Sequence, residues 1–242
     1  MLLNELYIIY LFIYLIKWAY KMKKMFNMIV NFKKKRNIKN ILNQFKISNY
    51  VINNDLSVDV YEDVIMNNDN NNKPLKSIPL KFGKITGSFF VRCQQLTSLH
   101  NCPYEVTEQF DCSENLLTSL EFCPRKVGAS FICNDNQLTS LKYCPENING
   151  SLFCYNNEIA TFEYFPKEIK VDLKMQNNKI LKEELANFKT VVHTHILDDF
   201  FCNNNKFFDE VNYQKIKQEQ QNLEGILNNS CSKKSNIYKN RL

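Results

Sequence analysis

The chain has 242 residues, enough for one or two ordinary domains, and its 44% of hydrophobic residues is adequate for a packed core. Five Gly and six Pro exclude a linker-rich protein. The net charge of +6 is unevenly placed: positions 17 to 39 hold nine basic residues (Lys17, Lys21, Lys23, Lys24, Lys33, Lys34, Lys35, Arg36, Lys39) and no acidic one, so the other 22 basic residues stand against 25 acidic ones and a global charge argument for nucleic-acid binding is excluded.

The first predicted element is an unbroken apolar run of eleven residues, opening at Leu6 and closing at Ile16. Lys17 interrupts it, and Trp18, Ala19 and Tyr20 extend it. A membrane-spanning helix wants about 20 apolar residues. The run is short for that, although Lys17 can snorkel and Trp18 suits an interface. Positive charge follows the run, the reverse of a secretory signal. If the run inserts as a transmembrane helix, the positive-inside rule leaves the bulk of the chain in the cytoplasm. The alternatives are a buried or interfacial helix, or a start at Met22, Met25 or Met28 that omits the apolar segment. Residues 1–37 therefore read as an apolar and then basic N-terminal arm, whose charge also suits anionic lipid or nucleic acid.

Residues 38–74 read as an N-terminal cap. A weak helical period runs from Ile38 to Phe45. Tyr50, Val51 and Ile52, a turn at Asn53, Asn54 and Asp55, and Leu56 to Val60 then predict a hairpin. Val64 and Met66 predict a first, irregular strand, with its turn lengthened by the Asn-rich stretch 67–72.

From residue 75 to residue 180 a phrase recurs every 21 residues: Leu-Thr-Ser-Leu, two residues, then Cys-Pro. It opens at Leu96, Leu117 and Leu138, with diverged copies at Leu75, Ile159 and Ile180. A fixed short period predicts stacked units. Within one unit, Phe110-x-Cys112-x-x-Asn115-x-Leu117-x-x-Leu120 alternates as a short half-buried strand must, with Phe and Cys inward. Asn115, Asn136, Asn157 and Asn178 fall where the chain leaves the strand, where a side-chain amide can both donate to and accept from turn backbone. Pro103, Pro124, Pro145 and Pro166 disfavour helix on the return path, which is expected to be extended or polyproline-like. Val106, Val127, Ile148 and Ile169 are expected to line its inner side. The nine Cys are odd in number, and six sit at two fixed phases (Cys102, Cys123, Cys144 and Cys112, Cys133, Cys154), reading as small buried apolar residues in a reducing compartment.

These units resemble the short leucine-rich repeats of bacteriophage and giant-virus proteins and of bacterial secreted effectors. The resemblance rests on phrases such as Leu117-Thr118-Ser119-Leu120 and Phe131-x-Cys133-x-x-Asn136. It covers under half the chain and implies a non-enzymatic recognition solenoid. The ubiquitin-ligase effectors of this group add a large catalytic domain, for which the 62 residues after Ile180 look too short.

The expected fold class is a β-rich solenoid, with short parallel strands on a concave sheet, a mostly non-helical convex side and small helical caps. Residues 181–242 are expected to form a helical C-terminal cap and tail, with Phe200, Phe201, Phe207 and Phe208 covering the last repeat. The outward strand positions are Phe90 and Arg92, Asp111 and Ser113, Ile132 and Asn134, Phe153 and Tyr155, Lys174 and Gln176. Phe90, Ile132, Phe153 and Tyr155 are apolar or aromatic where solvent is expected, which marks this face for a protein partner. His193, His195, Asp198, Asp199 and Cys202 are ligand-type residues, but their spacing matches no zinc signature. No phosphate-binding Gly loop and no nucleophile with a credible base are present in the sequence. The expectation is a cytoplasmic binding protein without cofactor, metal or catalytic residues. Its rivals are a membrane-tethered version and a binder of nucleic acid or anionic lipid through the basic arm.

Overall fold

The computed structural model describes residues 2–66 and 73–180, together with Glu184, Asn187, Lys189, Val191 and Val192. Most of the expected C-terminal cap, the four phenylalanines assigned to it and the His193 to Cys202 group lie outside the described residues, but Val191 and Val192, placed in that helical cap, form a strand instead. The chain divides into two compact units between Asn43 and Gln44.

The first unit is one helix, α1 (Leu2–Gln44), of 43 residues and roughly 65 Å. No Gly or Pro interrupts this stretch, so the apolar and basic arm and the helical segment expected from Ile38 run together as a single helix. It stops just before Lys46, which takes the left-handed conformation common at helix C-termini (φ 58°). Among the described residues, no helix is long and apolar enough to cross a membrane.

The second unit is a β-solenoid of about five turns. It opens with the expected hairpin: β1 (Tyr50–Ile52) pairs antiparallel with β2 (Val58–Val60), Tyr50 opposite Val60. The turn between them is fixed by Asp55, whose Oδ1 accepts from the Ser57 amide and hydroxyl at 3.1 and 2.6 Å. β3 (Val64–Ile65) follows, with Val64 and Met66 fully buried as the alternation requires.

Each later coil contributes two short strands. One wall is a six-stranded parallel sheet formed by β3, β5 (Phe89–Phe90), β7 (Phe110–Asp111), β9 (Phe131–Ile132), β11 (Leu152–Phe153) and β13 (Leu173–Lys174). Phe89, Phe110, Phe131, Leu152 and Leu173 are in register, one per coil. The 21-residue period is therefore the hydrogen-bonding register itself. The phenylalanines stack through the core, with ring centroids 6.2 Å apart for Phe89 and Phe110 and 5.2 Å for Phe110 and Phe131.

The return path is extended, as expected, and regular enough to form strands of its own. β4 (Phe82–Ile85), β6 (Glu105–Val106) and β8 (Lys126–Val127) continue in parallel from β2. β10 (Asn147–Ile148), β12 (Glu168–Ile169) and β14 (Val191–Val192) form a second parallel group. Ile85, Val106, Val127, Ile148 and Ile169 are all buried. The coils approach closely beside this wall: a Cβ on Gly128 would lie 1.8 Å from the Thr107 carbonyl oxygen, so only glycine fits.

Candidate interaction face

The asparagine column stitches each coil to the one before it. Asn115 Nδ2 donates to the carbonyls of Val91, Cys112 and Ser113 at 2.9 to 3.1 Å, and its Oδ1 accepts from the Leu96 amide at 3.0 Å. Asn136 and Asn157 repeat both halves of this pattern. Asn178 repeats it at the last described coil, and Gln94 takes the place at the first by accepting from Leu75. A buried amide satisfying both coils removes the cost of unpaired turn backbone and makes the sheet in front of it rigid.

The residue before each ladder position is left-handed: Cys93, Glu114, Asp135, Asn156 and Asn177 have φ of 52 to 56°. This turn sets the rim of the sheet. Along it Asp135 accepts from Asn134 and Asn156 at 2.6 and 2.7 Å, and Asn177 donates to Asn156 at 2.7 Å.

The ten expected face residues form two columns on the sheet. Phe90, Asp111, Ile132, Phe153 and Lys174 are register neighbours on successive strands. Arg92, Ser113, Asn134, Tyr155 and Gln176 form the second column. Arg92 is exposed, while Phe90, Ile132, Phe153, Tyr155, Lys174 and Gln176 are half-buried. Three residues differ from the expectation of open solvent: Asp111, Ser113 and Asn134 are only 3 to 5% exposed. Asp111 lies in register between the larger Phe90 and Ile132, and its Oδ1 accepts from the Ser113 amide and hydroxyl at 2.9 and 2.6 Å. Asn134 turns to the Asp135 carboxylate at the rim.

Lys174 Nζ lies 5.4 Å from the centre of the Phe153 ring, a cation–π contact across neighbouring strands. Burial, with the carboxylates of Asp135, Glu114 and Asp111, pushes the Tyr155 phenol above its ordinary value. The middle of the face is thus apolar with an acidic surround, and Arg92 and Lys174 stand towards its two ends.

The repeat-phased cysteines pack as core. Cys112, Cys133 and Cys154 are fully buried, Cys123 nearly so, and all seven cysteines among the described residues are free. Burial pushes the Cys123 thiol up to about 12 and those of Cys102, Cys112, Cys133, Cys144 and Cys154 well upward as well. Thiols held protonated are poor nucleophiles and poor metal ligands. Among the described residues, no group of three or more His, Cys, Asp or Glu is placed to hold a metal ion.

Sequence reasoning passed over a second surface. The two residues between Leu-Thr-Ser-Leu and Cys-Pro form the tip of a β-turn, closed by Cys123 N donating to Leu120 O at 3.0 Å and by its equivalents at Cys102 and Cys144. Ser119 Oγ, inside the phrase, accepts from the Glu121 amide at 3.1 Å and sets the turn. The third turn residue is left-handed, at φ 76° for Asn101, 69° for Phe122 and 78° for Tyr143. Such a position suits Gly or Asn, yet two exposed aromatics occupy it. They border an open groove of about 770 Å³ that also takes in Asp55, Lys81, His100, Tyr104 and Arg125. The available signal was the column itself: Asn101, Phe122, Tyr143 and Tyr164 recur at the same period as the scaffold.

Compared with protein-family models, with curated proteins and with solved structures, the chain matches none.

Proposed function

We propose that the chain is a non-enzymatic leucine-rich-repeat protein, of the type found in bacteriophages, giant viruses and secreted bacterial effectors, that binds a protein partner through the face of the six-stranded sheet. The observation that carries this reading is the row of Phe90, Ile132, Phe153 and Tyr155, half-exposed on strands pinned from behind by the amide ladder. A rigid aromatic anchor loses little conformational entropy on binding. The acidic surround of Tyr155 favours a partner that presents an apolar side chain beside basic ones. The leucine-rich pattern of the inward columns and the amide at each strand exit support the family resemblance. Seven free, mostly buried thiols support a reducing compartment, the cytoplasm.

The test is site-specific photo-crosslinking in lysate, with a photoreactive phenylalanine at position 153 or, as control, at position 126 on the other wall. A defined protein adduct is expected at 153 and absent at 126. The double variant Phe153→Ser, Tyr155→Ser should lose capture while its unfolding midpoint stays close to wild type. Equal capture by that variant overturns the proposal.

A further inference from the structure

Between Phe12 and Phe32 helix α1 exposes most of its large apolar side chains, whereas Ile38 and Leu42 nearer its end are buried. Leu15, Trp18, Met22, Phe26 and Ile29 are 40 to 65% exposed, and their spacing of three, four, four and three residues places them on one side of the helix. Lys17, Lys21 and Lys24 follow another line at the same pitch, about 130° round the axis from the first. Lys35 and Lys39 return to that basic line further along. Between positions 17 and 39 no acidic residue interrupts the charge.

A lipid surface satisfies both lines at once, which a nucleic acid or a second copy does not. A nucleic acid would pair with the lysines and leave Trp18, Phe26 and Ile29 in water. A second copy of the helix could cover the apolar line, but it would bring nine further basic residues alongside with no carboxylate between 17 and 39 to answer them. A lipid surface with anionic headgroups takes the lysines at the phosphate level and the apolar line at the acyl boundary.

We propose that α1 is an interfacial helix that lies along an anionic lipid surface, with Lys17, Lys21 and Lys24 at the headgroups and Trp18, Met22, Phe26 and Ile29 turned into the bilayer. The proposal is independent of the partner proposed for the sheet face, because it uses none of the same residues.

Trp18 is the single tryptophan of the chain, so its fluorescence reports the helix without labelling. The experiment titrates the full chain with phosphatidylcholine vesicles and with vesicles containing roughly one-third phosphatidylserine. The expected result is a blue shift of Trp18 emission with the anionic vesicles, reversed by high salt and small with phosphatidylcholine alone. Lys17→Gln, Lys21→Gln, Lys24→Gln should lower the partition coefficient by roughly 100-fold, at about a few-fold to tenfold per lysine. Phe26→Ser, Ile29→Ser should also weaken binding, with the unfolding of the solenoid unchanged. No shift with anionic vesicles, or an equal shift with phosphatidylcholine alone, overturns the proposal. A shift that grows with protein concentration without vesicles overturns it in favour of a second copy. Salt-sensitive binding of duplex DNA by a chain that ignores vesicles overturns it in favour of nucleic acid.

Discussion

Helix α1 is richer in large apolar side chains than the solenoid, yet it is the solenoid that buries them. In the solenoid Phe89, Phe110 and Phe131 are fully buried, each answered by the same residue one coil away. In α1 Phe12, Phe26 and Phe32 are more than 60% exposed. Repetition is the physical difference. A 21-residue period sets equivalent residues side by side at strand spacing, where each covers the next. The helix has no such period, and between Phe12 and Phe32 most of its apolar surface stays exposed.

The largest expected break in this comparison comes with alkali. Burial raises the thiols of Cys102, Cys112, Cys123, Cys133, Cys144 and Cys154, whereas in an unfolded chain thiols ionise near pH 8.5. Only the unfolded chain then releases protons, so this stabilisation is complete below about pH 8.5 and is lost as pH rises towards the folded values. Each thiol contributes a loss of up to about 1.4 kcal/mol per pH unit, and six together should unfold the coils between roughly pH 9 and 10.5. Circular dichroism against pH checks this, with the cysteine-free α1 keeping its helical signal.

Paired substitutions come next. Phe110→Ala should cost about 3–5 kcal/mol in denaturant unfolding, and Phe26→Ser within about 0.5 kcal/mol, although both delete a phenylalanine. Asn115→Ala should cost on the order of 3 kcal/mol, because the Leu96 amide and the Val91 carbonyl are left buried and unpaired. The smallest effect has the opposite sign. Phe122→Asn should raise stability by about 1 kcal/mol, since asparagine tolerates the left-handed turn that phenylalanine strains.

Much of this was legible in the residues. The alternation of Phe110 and Cys112 announces a strand, and the amide at Asn115 announces a turn whose backbone needs both a donor and an acceptor. The hairpin from Tyr50 to Val60 follows from its turn chemistry. What local pattern misses is decided by the neighbouring coil. Asp111 looks outward along its own strand, and it is buried because Phe90 and Ile132 flank it in register. Phe122 reads as a neutral filler between Leu120 and Cys123 until the turn places it at a left-handed position beside a groove. The continuity of α1 past Ile38 was less legible for another reason: the basic stretch ends at Lys39, but a change of charge does not break a helix, and no Gly or Pro is there to do so.

Amide side chains lock each coil to the one before it and so hold the sheet face rigid. Residue-resolved hydrogen exchange tests it most directly at the amides of Leu117 and Leu138, which donate to the side chains of Asn136 and Asn157 at 3.0 Å. These two amides should exchange only through global unfolding, orders of magnitude more slowly than those of the exposed neighbours Thr118 and Thr139. Exchange at Leu117 and Leu138 as fast as at those neighbours would contradict it.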